Sequence, residues 1–238
     1  MSYTQVDFDR DLAKLRELSA GDKPADLCAF MQWEMAWTHR ALAIFLNQVY
    51  KASKTSAPTE DAENFLGYAQ QWVRFLELHL KVENEVIVPV LSKFTSFEKS
   101  HSEQAQIAGP LAAFSAYLAA VSSGAEGWSA AKAEERAQAL FPIVMQHFVE
   151  QLDELDPEVL RKGGATPEAL GGLNTSVAAR VSELADPTRE VPSMVLHNDD
   201  KIEWPTMPWP LTAEFKMPPD LYKAHSGWWK YSQNPLAL

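Results

Sequence analysis

The chain has 238 residues, of which 46% are hydrophobic, 22% charged and 11% aromatic. This composition excludes wholesale disorder and collagen-like repeats, and the length is sufficient for a large core. The 32 acidic residues outnumber the 21 basic ones, so the net charge of -11 repels phosphate backbones and anionic lipids. We therefore expect neither nucleic acid nor a membrane as a partner. Because one cysteine cannot form an intrachain disulfide and the first residues lack a leader pattern, we expect a cytoplasmic protein.

Apolar residues recur at three- and four-residue spacing from about residue 8 to residue 185, which predicts an all-α domain. A short helix is predicted over residues 7–18. Four long helices are predicted over about residues 24–53, 59–93, 95–122 and 128–155, and a shorter one over about 166–184. Long helices joined by short connections favour an antiparallel up-down-up-down four-helix bundle, with the extra short helices packed outside it.

The composition changes after residue 185, where eight of the fifteen prolines and four of the eight tryptophans are found. The prolines argue against a helix, and the aromatic content argues against a solvated tail. We predict two parts: a bundle over residues 1–185, with a metal-binding core at about 27–160, and an irregular strap over 186–238 packed on the bundle.

Four of the six histidines fall one to each long helix: His39, His79, His101 and His147. The first, second and fourth share helix faces with apolar residues and are predicted to point inward, whereas the pattern places His101 less clearly. Glu83 lies one helical turn beyond His79, so both side chains can bind one object. A carboxylate in an apolar core needs a partner or a cation. These five residues therefore predict a nitrogen and oxygen site suited to iron, manganese or zinc.

Other roles for these histidines are open at this point. A single inward histidine is commonly a hydrogen-bonded core residue, and a helical interaction module without metal is a further alternative. His197 and His225, which lie in the tail, are expected to be surface or hydrogen-bonded loop histidines. Cys28 is expected to be a small buried hydrophobe.

The segment HLKVENEVIVPVL, residues 79–91, resembles the HxxxE stretch of hemerythrin-like HHE cation-binding domains. WTHRAL around His39, EKSHSEQ around His101 and MQHFVEQLDELDP around His147 follow that family's order and approximate spacing. The resemblance covers about residues 27–160. The tail ending in HSGWWKY is similar to extensions on fungal members.

This resemblance implies an antiparallel four-helix bundle that holds a non-haem iron pair and reacts with dioxygen, peroxide or iron itself. His39, His79, Glu83, His101 and His147 match its metal-ligand positions. Gln151 departs from the pattern, because a glutamate is expected there. Either one of the two irons is weakly held or absent, or Glu150, Glu154 or a tail residue such as His225 supplies the missing ligand.

Two functions follow as expectations. The first is an oxygen-dependent non-haem iron oxidoreductase acting on a small organic molecule, with a substrate pocket that includes Met35, Phe75, Trp72 and His225. Trp33 and Trp37 are further aromatic candidates for this enclosure. The strap would then close the open end of the site as a lid. The alternative is a non-catalytic protein that binds or senses oxygen or iron.

Overall fold

The computed structural model describes residues 3–198 and 204–236, and every regular element in these two ranges is a helix. The all-α prediction is confirmed. In chain order the α-helices are Gln5–Leu18 (α1), Leu27–Ser53 (α2), Ala57–Glu60 (α3), Ala62–Val82 (α4), Val88–Leu91 (α5), Glu98–Ser122 (α6), Ala130–Glu154 (α7), Pro157–Lys162 (α8), Pro167–Leu170 (α9), Leu173–Leu184 (α10), Pro187–Val195 (α11), Pro219–Lys223 (α12) and Ser226–Trp229 (α13). The four longest, α2, α4, α6 and α7, correspond to the four predicted long helices.

The second long helix does not continue as a regular α-helix to residue 93. A π-helical turn, Glu83–Ile87, separates α4 from α5, and the Val88 amide donates to the Glu83 carbonyl across this turn. Pro89 follows directly and has no amide hydrogen for the carbonyl four residues earlier, so the regular hydrogen-bond ladder is interrupted here. Wide turns of this kind are frequent at functional sites, and this one begins at a predicted metal ligand.

The tail prediction is wrong in part, because residues 187–195 form a helix. Asp186 caps α11 by accepting the Thr188 amide, and Pro187 occupies the first helical position, where its missing amide hydrogen costs nothing. The same Asp-Pro arrangement begins α8 at residues 156 and 157. The high proline content of the tail argued against a helix. Pro187, however, stands at the first helical position, where proline is compatible with a helix.

Contacts divide the chain into two compact units. Unit 1 contains the residues up to Arg40, Glu77–Pro110 and Gln138–Leu184, and unit 2 contains Ala41–Leu76, Leu111–Ala137 and the residues from Ala185 onward. Each of α2, α4, α6 and α7 contributes residues to both units. The predicted division into a bundle over residues 1–185 and an extension over residues 186–238 stays a prediction.

Unit 2 buries two of the four tail tryptophans fully, Trp204 and Trp229, whereas Trp209 and Trp228 are partly exposed. Trp229 lies edge-on to Tyr68 with ring centroids 6.4 Å apart. The Trp228 indole lies against the backbone of Gly67 in α4, at a place that a Cβ atom would fill. The tail is therefore part of the core of unit 2.

The Gly67→Ala variant should unfold more easily than the wild type, because its methyl group would overlap the Trp228 indole. Overpacking of this kind costs about 1–3 kcal/mol. Gly109→Ala is the matched control, since a Cβ at this helical position meets nothing within 4 Å, and it should gain about 0.5–1 kcal/mol. Urea denaturation of both variants measures the difference, and equal stabilities would contradict the packing of Trp228 on α4.

One helix among the described residues, α6, is long and apolar enough to cross a membrane by length and composition alone. Its mean hydropathy over the best window is 1.3, and alanine contributes much of this value. The same helix carries the buried carboxylate of Glu103. Of that window, 28% is buried inside the structure, and a single helix of this kind is weak evidence for a membrane span.

Candidate metal centre

The centre of the candidate site is a pair of imidazoles, His39 on α2 and His79 on α4. Their Nε2 atoms are 3.1 Å apart. His39 Nδ1 lies 2.8 Å from the carbonyl oxygen of Phe148, and because a carbonyl only accepts, this Nδ1 carries the hydrogen. His39 Nε2 therefore directs a lone pair at His79. Two nitrogens bound to one ion at about 2.1 Å would lie about 3.0–3.4 Å apart, so the observed separation fits a shared ion.

Glu83 and His147 complete the cluster. Glu83 Oε2 lies 3.7 Å from His79 Nε2 and 3.7 Å from His147 Nε2. Ligand atoms of His39, His79 and Glu83 all lie within 4.8 Å of one another. Three imidazoles and one carboxylate from α2, α4 with its π-helical turn, and α7 thus converge within unit 1.

Two residues of α6 contact these side chains from outside. Glu103 Oε2 lies 3.3 Å from His147 Nδ1, which holds a hydrogen on that nitrogen and turns Nε2 toward Glu83. The Gln104 amide donates to Glu83 Oε2 at 3.1 Å. Partners such as the Glu103 carboxylate and the Phe148 carbonyl orient metal-binding histidines and fix their tautomers.

Burial controls the charges in the cluster. Burial, together with the neighbouring His79, lowers the pKa of His39 well below its usual value, and burial also lowers the pKa of His79. Burial opposes ionisation of Glu83, but His79 and His147 lower its pKa to about 2. Burial also opposes the charge on His147, yet Glu103 and Glu83 raise its pKa to about 9. A metal ion would therefore displace a proton from His147 and meet a carboxylate that is already charged.

Several buried polar side-chain atoms of the cluster and of the helices around it have no hydrogen-bond partner among the described residues. They are Glu83 Oε1, Glu103 Oε1, His147 Nε2 and both amide atoms of Gln151. Leaving such atoms unpaired costs about 1–3 kcal/mol each, and most buried polar groups in proteins are paired. A bound cation would satisfy the imidazole and carboxylate atoms at once, so the donor set fits a metal.

The structure does not bring His101 to this cluster, and its role as a ligand stays a prediction without support from this geometry. His101 is exposed on α6, whereas Glu103 is only 3% exposed and contacts His147. Residues two apart on an α-helix differ in direction by about 200°, so the two side chains leave opposite faces. The buried stripe of α6, with Ile107, Leu111 and Phe114, continues back to Glu103 at helical spacing. The sequence analysis did not identify Glu103, although this helical spacing predicts that it is buried.

The three candidates after His147 lie in different surroundings. Gln151 is 1% exposed. Glu150 is hydrogen-bonded to Glu103 and paired with Lys99 at 2.8 Å, and these contacts lower its pKa to about 2. Glu154 accepts hydrogen bonds from the Ser100 amide and hydroxyl. The role of Glu150 and Glu154 as a replacement for a glutamate at position 151 stays a prediction.

The residues predicted to line a substrate pocket are divided between the units. Met35 is buried in unit 1, whereas Phe75 and Trp72 are buried in unit 2, where the Trp72 indole donates to the Leu42 carbonyl at 3.1 Å. His225, also in unit 2, is partly exposed and stacks on Trp228 with ring centroids 3.9 Å apart. His225 therefore has an aromatic partner in the tail itself. A substrate pocket built from these residues stays a prediction.

Comparisons of the chain with protein-family models, with curated proteins and with solved structures found no match. The resemblance to hemerythrin-like domains therefore rests on the sequence motifs alone. The metal site rests on the geometry of the histidine and glutamate side chains.

His197 is a buried histidine that does not belong to the cluster and lies in unit 2. It is fully buried and accepts a hydrogen bond from Tyr68. Burial lowers its pKa from 6.5 to about 3. The expectation of a hydrogen-bonded histidine agrees with these contacts, although His197 is a core residue.

The free energy of unfolding should decrease as the pH falls below 6.5, because the unfolded chain then binds a proton at His197 and the folded chain does not. The contribution is fully present above pH 6.5 and is lost progressively down to about pH 3. At pH 5 the loss amounts to about 2 kcal/mol. Urea denaturation from pH 7 to 5 measures this slope. His197→Phe should reduce this slope, and an unchanged slope in that variant would refute the assignment.

Proposed function

We propose that this protein is a non-haem iron protein whose metal is bound by His39, His79, Glu83 and His147. The observation that carries the proposal is the convergence of three imidazole Nε2 atoms on one buried carboxylate. The Phe148 carbonyl and the Glu103 carboxylate hold hydrogens on the opposite nitrogens of His39 and His147. His39 Nε2 thus presents a lone pair, and His147 Nε2 would present one once a metal ion displaces its proton.

The proposed architecture is an antiparallel bundle of α2, α4, α6 and α7. It is supported by their lengths and by the short connections between them. Such bundles place metal ligands on the inward faces of facing helices. A set of nitrogen and oxygen ligands suits iron, manganese or zinc, and the resemblance of residues 79–91 to hemerythrin-like domains favours iron.

We propose one tightly bound iron per chain instead of the pair implied by the resemblance. Gln151 offers a neutral amide where a carboxylate is expected, and His101 is exposed. The remaining protein ligands number four, which leaves coordination positions for small molecules, as catalytic metal sites require.

When bound, iron would supply the redox chemistry needed to activate dioxygen or peroxide, which these side chains cannot supply by themselves. The protein residues exclude water, because the four ligand side chains are at most 9% exposed. Glu103 keeps a hydrogen at His147 Nδ1. The proposed reaction is oxidation of a small organic substrate.

Burial of all four ligands also favours a second candidate, a protein that binds oxygen or iron without turnover. A closed site admits dioxygen or peroxide more readily than it admits an organic molecule. The two candidates share the metal site and differ in the fate of the bound oxygen, which is either released or consumed.

Anaerobic titration of the metal-free protein with Fe(II), followed by exposure to air, tests the proposal. We expect saturation at one equivalent and a change in the optical spectrum when air or peroxide is added. Reversal of this change under argon would favour the binding protein, and irreversible oxidation that consumes an added substrate would favour the enzyme. Absence of uptake of Fe(II), Mn(II) and Zn(II) would refute the metal site.

The Gln151→Glu variant should take up more than one iron per chain, because it adds a negative ligand one turn beyond His147. Without metal the extra buried carboxylate should lower the free energy of unfolding by about 1–3 kcal/mol. Gln146→Glu is the matched control, since Gln146 is exposed on the same helix. Metal analysis and urea denaturation give both readouts. Two equal tight sites in the wild type would contradict the proposal of one iron.

A further inference from the structure

Tyr68 and His197 form a buried proton donor and acceptor pair in unit 2. Both residues are fully buried, and the Tyr68 hydroxyl lies 2.7 Å from His197 Nε2. His197 Nδ1 lies 2.7 Å from the Ser193 carbonyl oxygen. A carbonyl only accepts, so Nδ1 carries the hydrogen and Nε2 carries the lone pair. The Tyr68 O–H must therefore donate to His197.

The resting states of the two groups are well defined. Burial raises the pKa of Tyr68 well above 10 and lowers the pKa of His197 to about 3. At neutral pH the phenol is therefore protonated and the imidazole is a neutral acceptor. Loss of an electron converts a phenol into a very strong acid, and the hydrogen bond to Nε2 gives its proton a direct acceptor.

Aromatic rings connect Tyr68 to the outside of unit 2. Its ring centroid lies 5.8 Å from that of Tyr231 and 6.4 Å from that of Trp229. Trp229 lies 6.1 Å from Trp228. Tyr231 and Trp228 are partly exposed. Tyrosine and tryptophan are the side chains that most readily lose one electron, so these rings form a path for electrons from the surface to Tyr68.

We propose that Tyr68 is a redox-active tyrosine that donates one electron to a strong one-electron oxidant while its phenolic proton moves to His197 Nε2. The Tyr68 O–H bond breaks and an N–H bond forms, giving a neutral tyrosyl radical beside an imidazolium, and the oxidant is reduced by one electron. An electron then returns to Tyr68 through Tyr231 or through Trp229 and Trp228. The proton returns from His197, and a soluble one-electron reductant of the thiol or ascorbate class is oxidised at the surface.

This activity would remove oxidising equivalents from the core before they damage it. It does not depend on the metal centre, because the oxidant can be supplied from solution. A hydrogen bond with a purely structural role would not need the sequence of rings that leads to the surface.

The test uses the full-length, metal-free protein, a photo-excited ruthenium polypyridyl complex as oxidant and a cobalt(III) ammine as electron acceptor. Freezing after the flash should trap a neutral tyrosyl radical, observed by electron paramagnetic resonance, with a hyperfine coupling to one exchangeable proton from His197. The signal should be lost in Tyr68→Phe. It should persist in Tyr117→Phe, because Tyr117 is also buried but donates to the Ser129 carbonyl.

A wild-type radical confined to Tyr231 or to the tryptophans would overturn the proposal, and so would a tyrosyl signal unchanged in Tyr68→Phe. Should Tyr68→Phe fold poorly, labelling of histidine with 15N in the wild type decides, since a radical at Tyr68 hydrogen-bonded to His197 couples to a histidine nitrogen. Ascorbate should shorten the lifetime of the radical in the wild type. It should do so less in the double variant Trp229→Phe/Tyr231→Phe, which lacks the proposed return path. Equal shortening in both proteins would exclude this path. Failure of these tests leaves the Fe(II) titration unaffected.

Discussion

The His79→Ala variant should bind Fe(II) at least about 100-fold more weakly than the wild type. Changes to residues that only support metal ligands cost about 10- to 100-fold, and His79 is itself a proposed ligand. Its Nε2 lies between His39 Nε2, at 3.1 Å, and Glu83 Oε2, at 3.7 Å. The apolar faces of the helices remain, so helix content should change little. Competition titration against a coloured chelator measures the affinity, and circular dichroism measures the helix content.

The matched control for this experiment is His101→Ala, since the exposed His101 does not belong to the cluster. This variant should bind iron as the wild type does. The interpretation fails if His101→Ala loses iron as His79→Ala does, because His101 would then be a ligand, as the resemblance implies.

A chain that ends before Pro187 should lose the folded structure of unit 2. The lid expected from the sequence would predict only the loss of a cover over the metal site. Trp204 and Trp229 are at most 2% exposed. Each would bury about 150–250 Å², worth about 4–6 kcal/mol as an upper estimate at about 25 cal/mol per Å². Their sum is comparable to the whole stability of a domain, about 5–15 kcal/mol.

Truncation would also leave polar groups of α4 without their tail partners. Arg74 Nε lies 2.9 Å from Glu190, and the Gln71 amide lies 3.1 Å from the Ser193 hydroxyl. Tyr68 would lose His197. The buried Gln71 and Tyr68 would then need water, which the core of unit 2 does not provide without opening.

Thermal melting and hydrogen exchange measure the effect of truncation. Helix content should fall by more than the removed residues account for, and exchange should increase within residues 41–76. Phe215→Ala, which changes a tail residue that is 39% exposed, should leave melting nearly unchanged. If the truncated chain keeps its helix content and its melting temperature, the lid expected from the sequence is the better description.

The helices and the inward positions of three histidines follow from local patterns in the sequence. His39, His79 and His147 lie among apolar residues at helical spacing, and the hydrophobic effect turns that face of each helix inward. Glu83 was predicted because a position one turn beyond His79 shares its face. Composition and periodicity were also sufficient for the all-α class.

The tertiary structure decided which side chains meet. Whether His101 or Glu103 faces His147 depends on the rotation of α6 about its axis, and that rotation follows from how Ile107, Leu111 and the rest of the stripe pack. The pairing of Tyr68 with His197 joins residues 129 positions apart, a separation for which periodicity has no signal. Helical patterns report one face of one helix, whereas axial register and rotation between helices arise only when the faces pack against one another.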